Sequence, residues 1–125
     1  MKRILKSLAI IMTVVSCNDS NPFLAEWETP YGIPDFSAVQ EKHYIPAVEA
    51  GIAQQQAEIE AIIANTEEPT FANVVEAYEK SGAILDRVTG VLFNLSETDA
   101  TPSLQAIVEE VLPQLSVHSD NIFMN

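Results

Sequence analysis

The sequence predicts an all-α protein in which about three antiparallel helices follow a short irregular arm. Apolar residues recur every three or four positions in three separate stretches of the 125-residue chain, which is the periodicity of helices with one buried face. Prolines and a glycine cluster between residues 22 and 36, where they exclude a long helix or a central strand. The connections between the periodic stretches are short, which favours antiparallel neighbours.

Residues 1–16 are predicted to be a signal peptide. Three basic side chains, Lys2, Arg3 and Lys6, precede an apolar run over residues 8–15. This run is too short to span a bilayer, so it indicates a removable leader rather than an anchor helix. The sequence Val-Val-Ser-Cys at residues 14–17 resembles a bacterial lipobox, in which Cys17 becomes the lipidated first residue of the mature chain.

Lipidation would also explain why the sequence contains a single cysteine. An odd cysteine in an exported protein requires an explanation, and Cys17 has no second cysteine with which to pair. The alternative is an ordinary signal peptide cleaved elsewhere, which leaves Cys17 as a free thiol. We expect an exported bacterial lipoprotein, periplasmic or associated with the outer membrane, that acyl chains on Cys17 hold to the membrane.

Residues 17–36 are predicted to form a polar tether and then an extended arm. The prolines and the glycine interrupt the arm, yet it is rich in apolar side chains: Phe23, Leu24, Trp27, Tyr31, Ile33 and Phe36. Buried aromatic side chains mostly serve packing, so the arm is expected to pack over the helices. The alternative is that these aromatic side chains stack on a ligand.

The first helix is predicted from about residue 38 to residue 64. Asp35 or Ser37 is expected to cap a short opening turn. Pro46 is expected to mark a restart, because proline removes an amide donor and disfavours helical backbone at the preceding residue. Helical spacing continues after it, at Val48, Ile52, Gln55, Ile59 and Ile62.

The second helix is predicted over residues 69–95, and the rest of the chain is expected to pack around it. Thr70 is a suitable N-cap, although Asn73 stands where a capping box has Glu or Gln. Ser81 and Gly82 fill one long gap in the stripe. The stripe is expected to be core without chemistry, and it consists of Phe71, Val74, Tyr78, Leu85, Val88, Leu92 and Leu95.

The third helix is predicted to start near Ser103 and to be kinked or split at Pro113. Its stripe contains Leu104, Ile107, Val108, Val111, Leu112 and Leu115. The sequence finishes on an apolar cluster, residues 122–124, without a helix stop signal. We therefore expect residues 37–125 to be a helical region that is interrupted before the rest of a larger protein.

The charge of the chain excludes two classes of partner. The formal net charge is −12, and without residues 1–16 three basic side chains remain against 18 acidic ones, a balance of −15. Such a surface repels phosphate backbones, so no nucleic-acid partner is expected. It also disfavours electrostatic docking on anionic lipid.

A series of short motifs runs in order through nearly the whole mature chain: Asn21-Pro22-Phe23-Leu24, Trp27-Glu28-Thr29-Pro30-Tyr31-Gly32-Ile33-Pro34-Asp35-Phe36, His43-Tyr44-Ile45-Pro46-Ala47, Pro69-Thr70-Phe71-Ala72-Asn73, Pro113-Gln114-Leu115-Ser116 and His118-Ser119-Asp120. Together they resemble the start of mature bacterial peptidyl-dipeptidases (dipeptidyl carboxypeptidases), which are thimet-oligopeptidase-like zinc metallopeptidases. The resemblance implies the N-terminal helical part of such an enzyme. In the complete family this part helps to wall a channel that admits short unfolded peptides.

The catalytic motif of that family is missing from the sequence. The resemblance implies zinc-dependent removal of C-terminal dipeptides from short peptides, which needs His-Glu-x-x-His on a helix. The chain has only two histidines, His43 and His118, and neither precedes a glutamate. No catalytic or zinc-binding residue therefore carries over, and this chain is expected to bind no cofactor and to be inactive alone.

The remaining chemical side chains favour structural roles. His43 lacks partner ligands, so a structural histidine beside Tyr44 is expected rather than a metal ligand. Asp120 lies two positions after His118 and so points off its helix face, which disfavours a charge relay. The two residues of Glu67-Glu68, and likewise of Glu109-Glu110, are adjacent in sequence. Adjacent side chains on a helix point in different directions, so the two carboxylates of a pair cannot face each other as a catalytic dyad.

Two functions follow from the sequence. The first is the N-terminal fragment of an exported zinc metallopeptidase, whose complete form acts on short peptides and carries zinc. The alternative is a non-catalytic helical lipoprotein that binds a protein partner through an exposed apolar stripe. A His-Glu-x-x-His motif encoded in frame after Asn125 would discriminate between them.

Overall fold

The computed structural model describes residues 20–124, which form a helical bundle. Its helices are α1 (Tyr44–Ala64), α2 (Ala77–Lys80), α3 (Ala83–Thr98) and α4 (Pro102–Phe123). A π-helical segment, Phe71–Glu76, leads directly into α2, and two short 3₁₀ helices, Pro30–Gly32 and Glu41–His43, precede α1. Because this part of the chain is helical and contains no strand, the all-α prediction is confirmed.

The first half of the arm packs on the bundle as predicted. Phe23 is fully buried, and its ring lies 5.2 Å from that of Tyr44 and 6.1 Å from that of Trp27, between centroids. The Asn21 side chain fixes the start of the arm, because it accepts from the Phe23 amide at 3.1 Å and donates to the His43 carbonyl at 2.7 Å. Aromatic burial and polar pairing thus act on the same few residues.

Arg87 of α3 holds the arm from the other side. Its Nη1 donates to the carbonyl oxygens of Phe23 and Ala25, at 3.0 and 2.7 Å, and its Cζ lies 5.1 Å from the centre of the Trp27 ring. The second half of the arm is different, because its apolar side chains Tyr31 and Ile33 are exposed. The packing prediction therefore holds for Phe23 and Trp27. It is wrong for the exposed side chains of the arm, which are Leu24, Tyr31, Ile33 and Phe36.

Helix α1 begins later than predicted, at Tyr44. Asp35 caps the predicted opening turn, since its carboxylate accepts from the Ser37 amide at 3.0 Å and from the Ser37 hydroxyl at 2.6 Å. The extended backbone of Gln40 (φ −131°) then separates this turn from the helix. Pro46 lies in the first turn of α1, where an amide has no intrahelical acceptor, so the predicted restart at Pro46 is wrong.

The stretch predicted as the second helix is divided into two. Thr70 caps the π-helical segment, and Asn73 completes a capping box: the Asn73 amide donates to Thr70 Oγ1 at 3.1 Å and the Thr70 amide to Asn73 Oδ1 at 2.7 Å. The helix then stops, because Ser81 is extended (ψ 150°) and Gly82 is left-handed (φ 78°). A single helix over residues 69–95 is therefore wrong.

Helix α4 starts where predicted and continues through its internal proline. Thr101 is the N-cap, its hydroxyl accepting from the Leu104 amide at 3.1 Å, and Pro102 occupies the first position, where its fixed φ suits a helix. Pro113 lies inside the helix without dividing it. The predicted split at this proline is therefore not observed.

The three long helices pack with consecutive neighbours antiparallel. Gly51 of α1 faces Leu85 of α3, and Gln105 of α4 donates to the Ser96 carbonyl near the end of α3 at 3.0 Å. Helices α1 and α4 run in the same direction, since Ser103 in the first turn of α4 bonds to Glu41 just before α1 and His118 near the end of α4 bonds to Gln55 in the second half of α1. This is the arrangement that short connections predict.

The core lies at the end of the bundle where α1 and α4 begin. Its buried apolar residues are Phe23, Tyr44, Ala47, Val48, Leu85, Val88, Val91, Leu92, Leu104 and Val111. All buried residues of α1 lie between its start and Gly51. Beyond Gly51, α1 contributes the partly buried Ile52 to this core and no buried residue.

None of the helices in the described part of the chain is long and apolar enough to cross a membrane.

Candidate functional site

The predicted lipidation residue, Cys17, and the predicted signal peptide lie outside the residues that the structure describes. The structure therefore bears on three other features: the two histidines, the carboxylates and the apolar surface.

His43 is a buried residue of the turn before α1, only 7% exposed. Its Nδ1 accepts a hydrogen bond from the Gln40 amide at 3.0 Å, which leaves the proton on Nε2. That Nε2 has no hydrogen-bond partner among the described residues. The ring thus closes the turn that starts α1 and packs beside Tyr44, as a structural histidine does.

His118 joins α4 to α1. Its Nε2 donates to Gln55 Oε1 at 2.8 Å, the Gln55 amide group faces Ser81 Oγ at 3.4 Å, and Ser81 donates to the Tyr78 carbonyl at 2.7 Å. Burial lowers the pKa of His118, because a charged imidazole is poorly solvated there. The side chains form a structural network between α1, α4 and the turn after α2, and the charge relay with Asp120 is not formed.

The paired carboxylates are solvated as predicted. Glu67, Glu68, Glu109 and Glu110 are all exposed. A different carboxylate has a structural role, since Glu58 accepts from the Gly82 amide at 2.8 Å and so holds the break between α2 and α3 against α1. Residues 20–124 contain no group of three or more His, Cys, Asp or Glu side chains that could hold a metal ion. The zinc that the resemblance implies therefore has no candidate group of ligands among the described residues.

An exposed apolar groove lies at the end of the bundle away from the core. It encloses about 500 Å³ between the second half of α1, the π-helical segment with α2, and the end of α4. The groove is lined by Ile59, Ile62, Ile63, Val74, Val75, Tyr78, Ile122 and Phe123. Large apolar side chains that converge from three elements and remain open to solvent are typical of interaction surfaces.

Sequence reasoning missed this groove. It assigned Val74 and Tyr78 to a buried stripe, yet these side chains are 40% and 37% exposed. The signal was present in Val75 and Ile63, which are apolar and adjacent to stripe positions, so that they widen the apolar face of each helix. The two consecutive helical stretches that contain Ile63 and Val75 therefore both have a wide apolar face. This indicates more apolar surface than the helices of one bundle can bury against each other.

The chain was compared with family models and with curated proteins, and no family model matches it. It is 37% identical over 106 residues to the dipeptidyl carboxypeptidase of Salmonella typhimurium and 37% identical over 105 residues to that of Escherichia coli. It is 28% identical over 100 residues to oligopeptidase A of Salmonella typhimurium. These matches cover 85%, 84% and 80% of this chain but only 16%, 15% and 14% of the respective relatives.

Proposed function

We propose that this chain, which is homologous to a segment of the dipeptidyl carboxypeptidases, forms the N-terminal, non-catalytic helical region of such a peptidase. The observation that carries the proposal is the 37% identity over 85% of the chain to a protein of that name. The chain spans about one sixth of the length of these relatives, 16% and 15%. Peptide cleavage is therefore an activity proposed for the complete protein and not for this segment.

The chemistry of the described residues supports a non-catalytic role. Hydrolysis in a zinc peptidase requires several ligands converging on one metal and a carboxylate that activates water. Here His43 Nδ1 is occupied by a backbone amide and His118 Nε2 by Gln55. We propose that the segment contributes shape, as part of the wall beside the peptide channel of the complete enzyme, and that zinc and the catalytic groups belong to other parts of that enzyme.

A replacement experiment tests this function. In the Escherichia coli dipeptidyl carboxypeptidase, the segment that matches this chain is replaced by residues 20–124 of this chain. Release of a C-terminal dipeptide from a blocked tetrapeptide by this chimera is then measured. We expect the chimera to cleave and the 125-residue chain alone, with added zinc, to be inactive. Chelator-sensitive cleavage by the chain alone would falsify the assignment as a non-catalytic region. A chimera that neither folds nor cleaves would contradict the homologous placement.

We further propose that Cys17 is lipidated and anchors the protein on the outside of the bacterial inner membrane or on the outer membrane. The basic residues, the short apolar run and the position of Cys17 support this proposal. Cells are labelled with a clickable fatty acid, and we expect Cys17→Ala to abolish the label. A matched control, Cys17→Ala with Ser20→Cys, keeps one cysteine nearby and is expected to stay unlabelled. An unlabelled wild-type protein released in soluble form would contradict the anchor.

A second candidate function is a helical lipoprotein that binds a separate protein partner. The exposed apolar groove favours it, because such a surface fits a partner as well as it fits another part of one chain. The replacement experiment separates the two functions, since only a region of a peptidase is expected to restore cleavage in the chimera.

A further inference from the structure

The apolar groove lies outside the core of residues 20–124. None of its lining residues belongs to the buried core cluster, which lies at the opposite end of the bundle. Ile63 is 61% exposed and Phe123 is 74% exposed, so these side chains gain little from folding. An apolar surface that stays exposed after folding can still be buried by contact with another protein surface, and that contact is favourable.

The charges around the groove oppose a second copy of this chain as its occupant. Glu60 lines a depression that shares Ile59, Ile63 and Ile122 with the groove, and Glu79 is an exposed residue of α2 in its opposite wall. Residues 20–124 contain 17 carboxylates and three basic side chains. Two such surfaces brought face to face repel each other.

The length of the relatives offers a candidate for the part of a protein that covers the groove instead. The matched segment is 16% of the Salmonella relative and 15% of the Escherichia coli relative, so most of a protein of this kind lies outside it. A large body joined to this segment can bury the groove at little entropic cost, because a covalent link makes the contact intramolecular. Its contact surface must be apolar, and flanks that are basic or neutral suit the acidic rim.

We propose that the groove is the docking surface for the remaining body of a dipeptidyl carboxypeptidase-like chain, which inserts an apolar ridge between the second half of α1, α2 and the end of α4. The inference rests on the proposed function and adds to it the surface through which the segment is joined to the rest of the enzyme. Val75 and Ile63 are its test positions, since they come from two different walls of the groove.

The test uses the chimera described above with three substitutions. Val75→Glu and Ile63→Glu place a charge in the groove, and Leu112→Glu places the same charge on α4 outside it, at a residue of similar exposure to Val75 (46% against 43%). Limited proteolysis within the exchanged segment reports how often the segment detaches. We expect cleavage to be about tenfold faster in both groove variants, because one buried aliphatic contact is lost, and unchanged in Leu112→Glu.

The same substitutions in the full 125-residue chain provide the second measurement. There we expect all three variants to shift the midpoint of urea unfolding equally little, because every substituted side chain is already exposed. A larger shift for Val75→Glu than for Leu112→Glu would overturn the inference, since the groove would then belong to the fold of the segment itself.

Three further outcomes are distinguishable. If the wild-type chimera cleaves peptides but the groove variants are proteolysed like Leu112→Glu, the docking inference is wrong and the proposed function stands. If the wild-type chimera does not fold, the proposed function is wrong and the inference is lost with it. If sedimentation shows that the full chain dimerises and that Val75→Glu abolishes the dimer, a second copy is the occupant and the inference is overturned.

Discussion

His118 is a titratable side chain that the fold keeps in its neutral form. It is 7% exposed, donates from Nε2 to Gln55, and has a pKa lowered by burial from the ordinary value of 6.5. In the unfolded chain the imidazole is hydrated and takes up a proton near pH 6.5. The unfolded state therefore binds more protons than the folded state below that pH, and folding stability must fall there.

The first prediction is that His118→Gln reduces this pH dependence. Well above pH 6.5 both states are neutral at residue 118, so wild type loses no stability from it there. As the pH falls from about 7.5 to about 5.5, the unfolded state is protonated first and the wild-type urea midpoint decreases. The midpoint of His118→Gln is expected to decrease less. Parallel midpoints for the two proteins across this range would show that His118 titrates alike in both states.

At the level of single residues, the sequence predicted local hydrogen-bonding roles such as helix capping. It did not predict hydrogen-bond partners that are distant in sequence. Thr70 was identified as an N-cap because its hydroxyl suits that position, and it forms the expected bond. Asn73 closes the capping box as well, which the shorter side chain did not indicate. The partner of His118 could not be predicted, because Gln55 is distant in sequence and the contact depends on how α1 and α4 pack.

The contact between α1 and α3 depends on a glycine at the crossing point. A Cβ at Gly51 would lie 2.9 Å from the Leu85 backbone nitrogen, which is a backbone atom that cannot rotate away. Gly90 lies on α3, and a Cβ there would meet no atom within 4 Å. The same substitution at these two helical positions therefore separates close packing from helix propensity.

The second prediction is that Gly51→Ala and Gly90→Ala change stability in opposite directions. Gly51→Ala should destabilise the fold by roughly 1 to 3 kcal/mol, because α1 and α3 must move apart. Gly90→Ala should stabilise it by roughly 0.5 to 1 kcal/mol, because alanine restricts the unfolded chain and favours helix. Urea unfolding followed by circular dichroism measures both. Shifts of the same sign would contradict the close approach at Gly51.

The arm is joined to α3 mainly through Arg87, and the chain offers a direct probe of that contact. Trp27 is the single tryptophan of the sequence, and its ring lies under the Arg87 guanidinium. Lys80 supplies a matched control, because its ion pair with Glu76, at 2.6 Å, is on the surface with the lysine side chain 72% exposed. Surface pairs of this kind contribute little.

The third prediction concerns Arg87→Met, which removes two hydrogen bonds to arm carbonyls and the cation beside Trp27. We expect a red-shifted tryptophan emission, stronger quenching by acrylamide and a loss of roughly 1 to 3 kcal/mol in unfolding free energy. Lys80→Met removes the same charge and should leave the emission unchanged. An arm that stays protected from acrylamide in Arg87→Met would show that the burial of Phe23 is sufficient to hold it.

Periodicity located the helices, but it could not place the break in the second of them. Residues 69–95 carry an apolar stripe with a single long gap at Ser81 and Gly82, so the spacing favours one helix. Gly82 is the local signal for a break in the helix. Glycine also occurs within helices, so Gly82 is equally compatible with a gap in the stripe of one continuous helix. What decides between the two is tertiary: Glu58 of α1 accepts the Gly82 amide, and this partner is not visible from local sequence.

The candidate site was less predictable than the fold, for a related reason. A groove forms only when faces of separate elements converge, and neither Val75 nor Ile63 identifies its neighbours on α4. The resemblance to dipeptidyl carboxypeptidases, carried by motifs such as His43-Tyr44-Ile45-Pro46-Ala47, was confirmed by the comparisons. The missing catalytic motif also followed from the sequence, because that motif is contiguous.

The whole molecule carries a strong excess of negative charge, with a formal net charge of −12. In residues 20–124 the carboxylates are mostly exposed, and the ion pair between Lys80 and Glu76 neutralises only one of them. Like charges crowded on a compact surface repel each other more than they do in the expanded unfolded chain. Screening of that repulsion should therefore favour the folded state.

The fourth prediction is that added salt stabilises the protein. Between about 0.01 M and about 0.1 M sodium chloride the Debye length falls from about 30 Å to about 10 Å, so the melting temperature should rise. Glu109→Gln with Glu110→Gln removes two exposed charges and should raise the low-salt melting temperature, with the two proteins converging at the higher salt concentration. A melting temperature that does not respond to salt would exclude self-repulsion as a significant cost.

The one-sided core of the bundle implies that its backbone does not open uniformly. Every buried residue of α1 lies at or before Gly51, while its second half borders the groove. Amide hydrogens of residues 48–52, the first with intrahelical acceptors in α1, should exchange with deuterium only through global unfolding, whereas those of residues 58–64 should exchange through local fraying. A protease should therefore cut first near the exposed connection at residues 65–70, and occupation of the groove should slow both processes together.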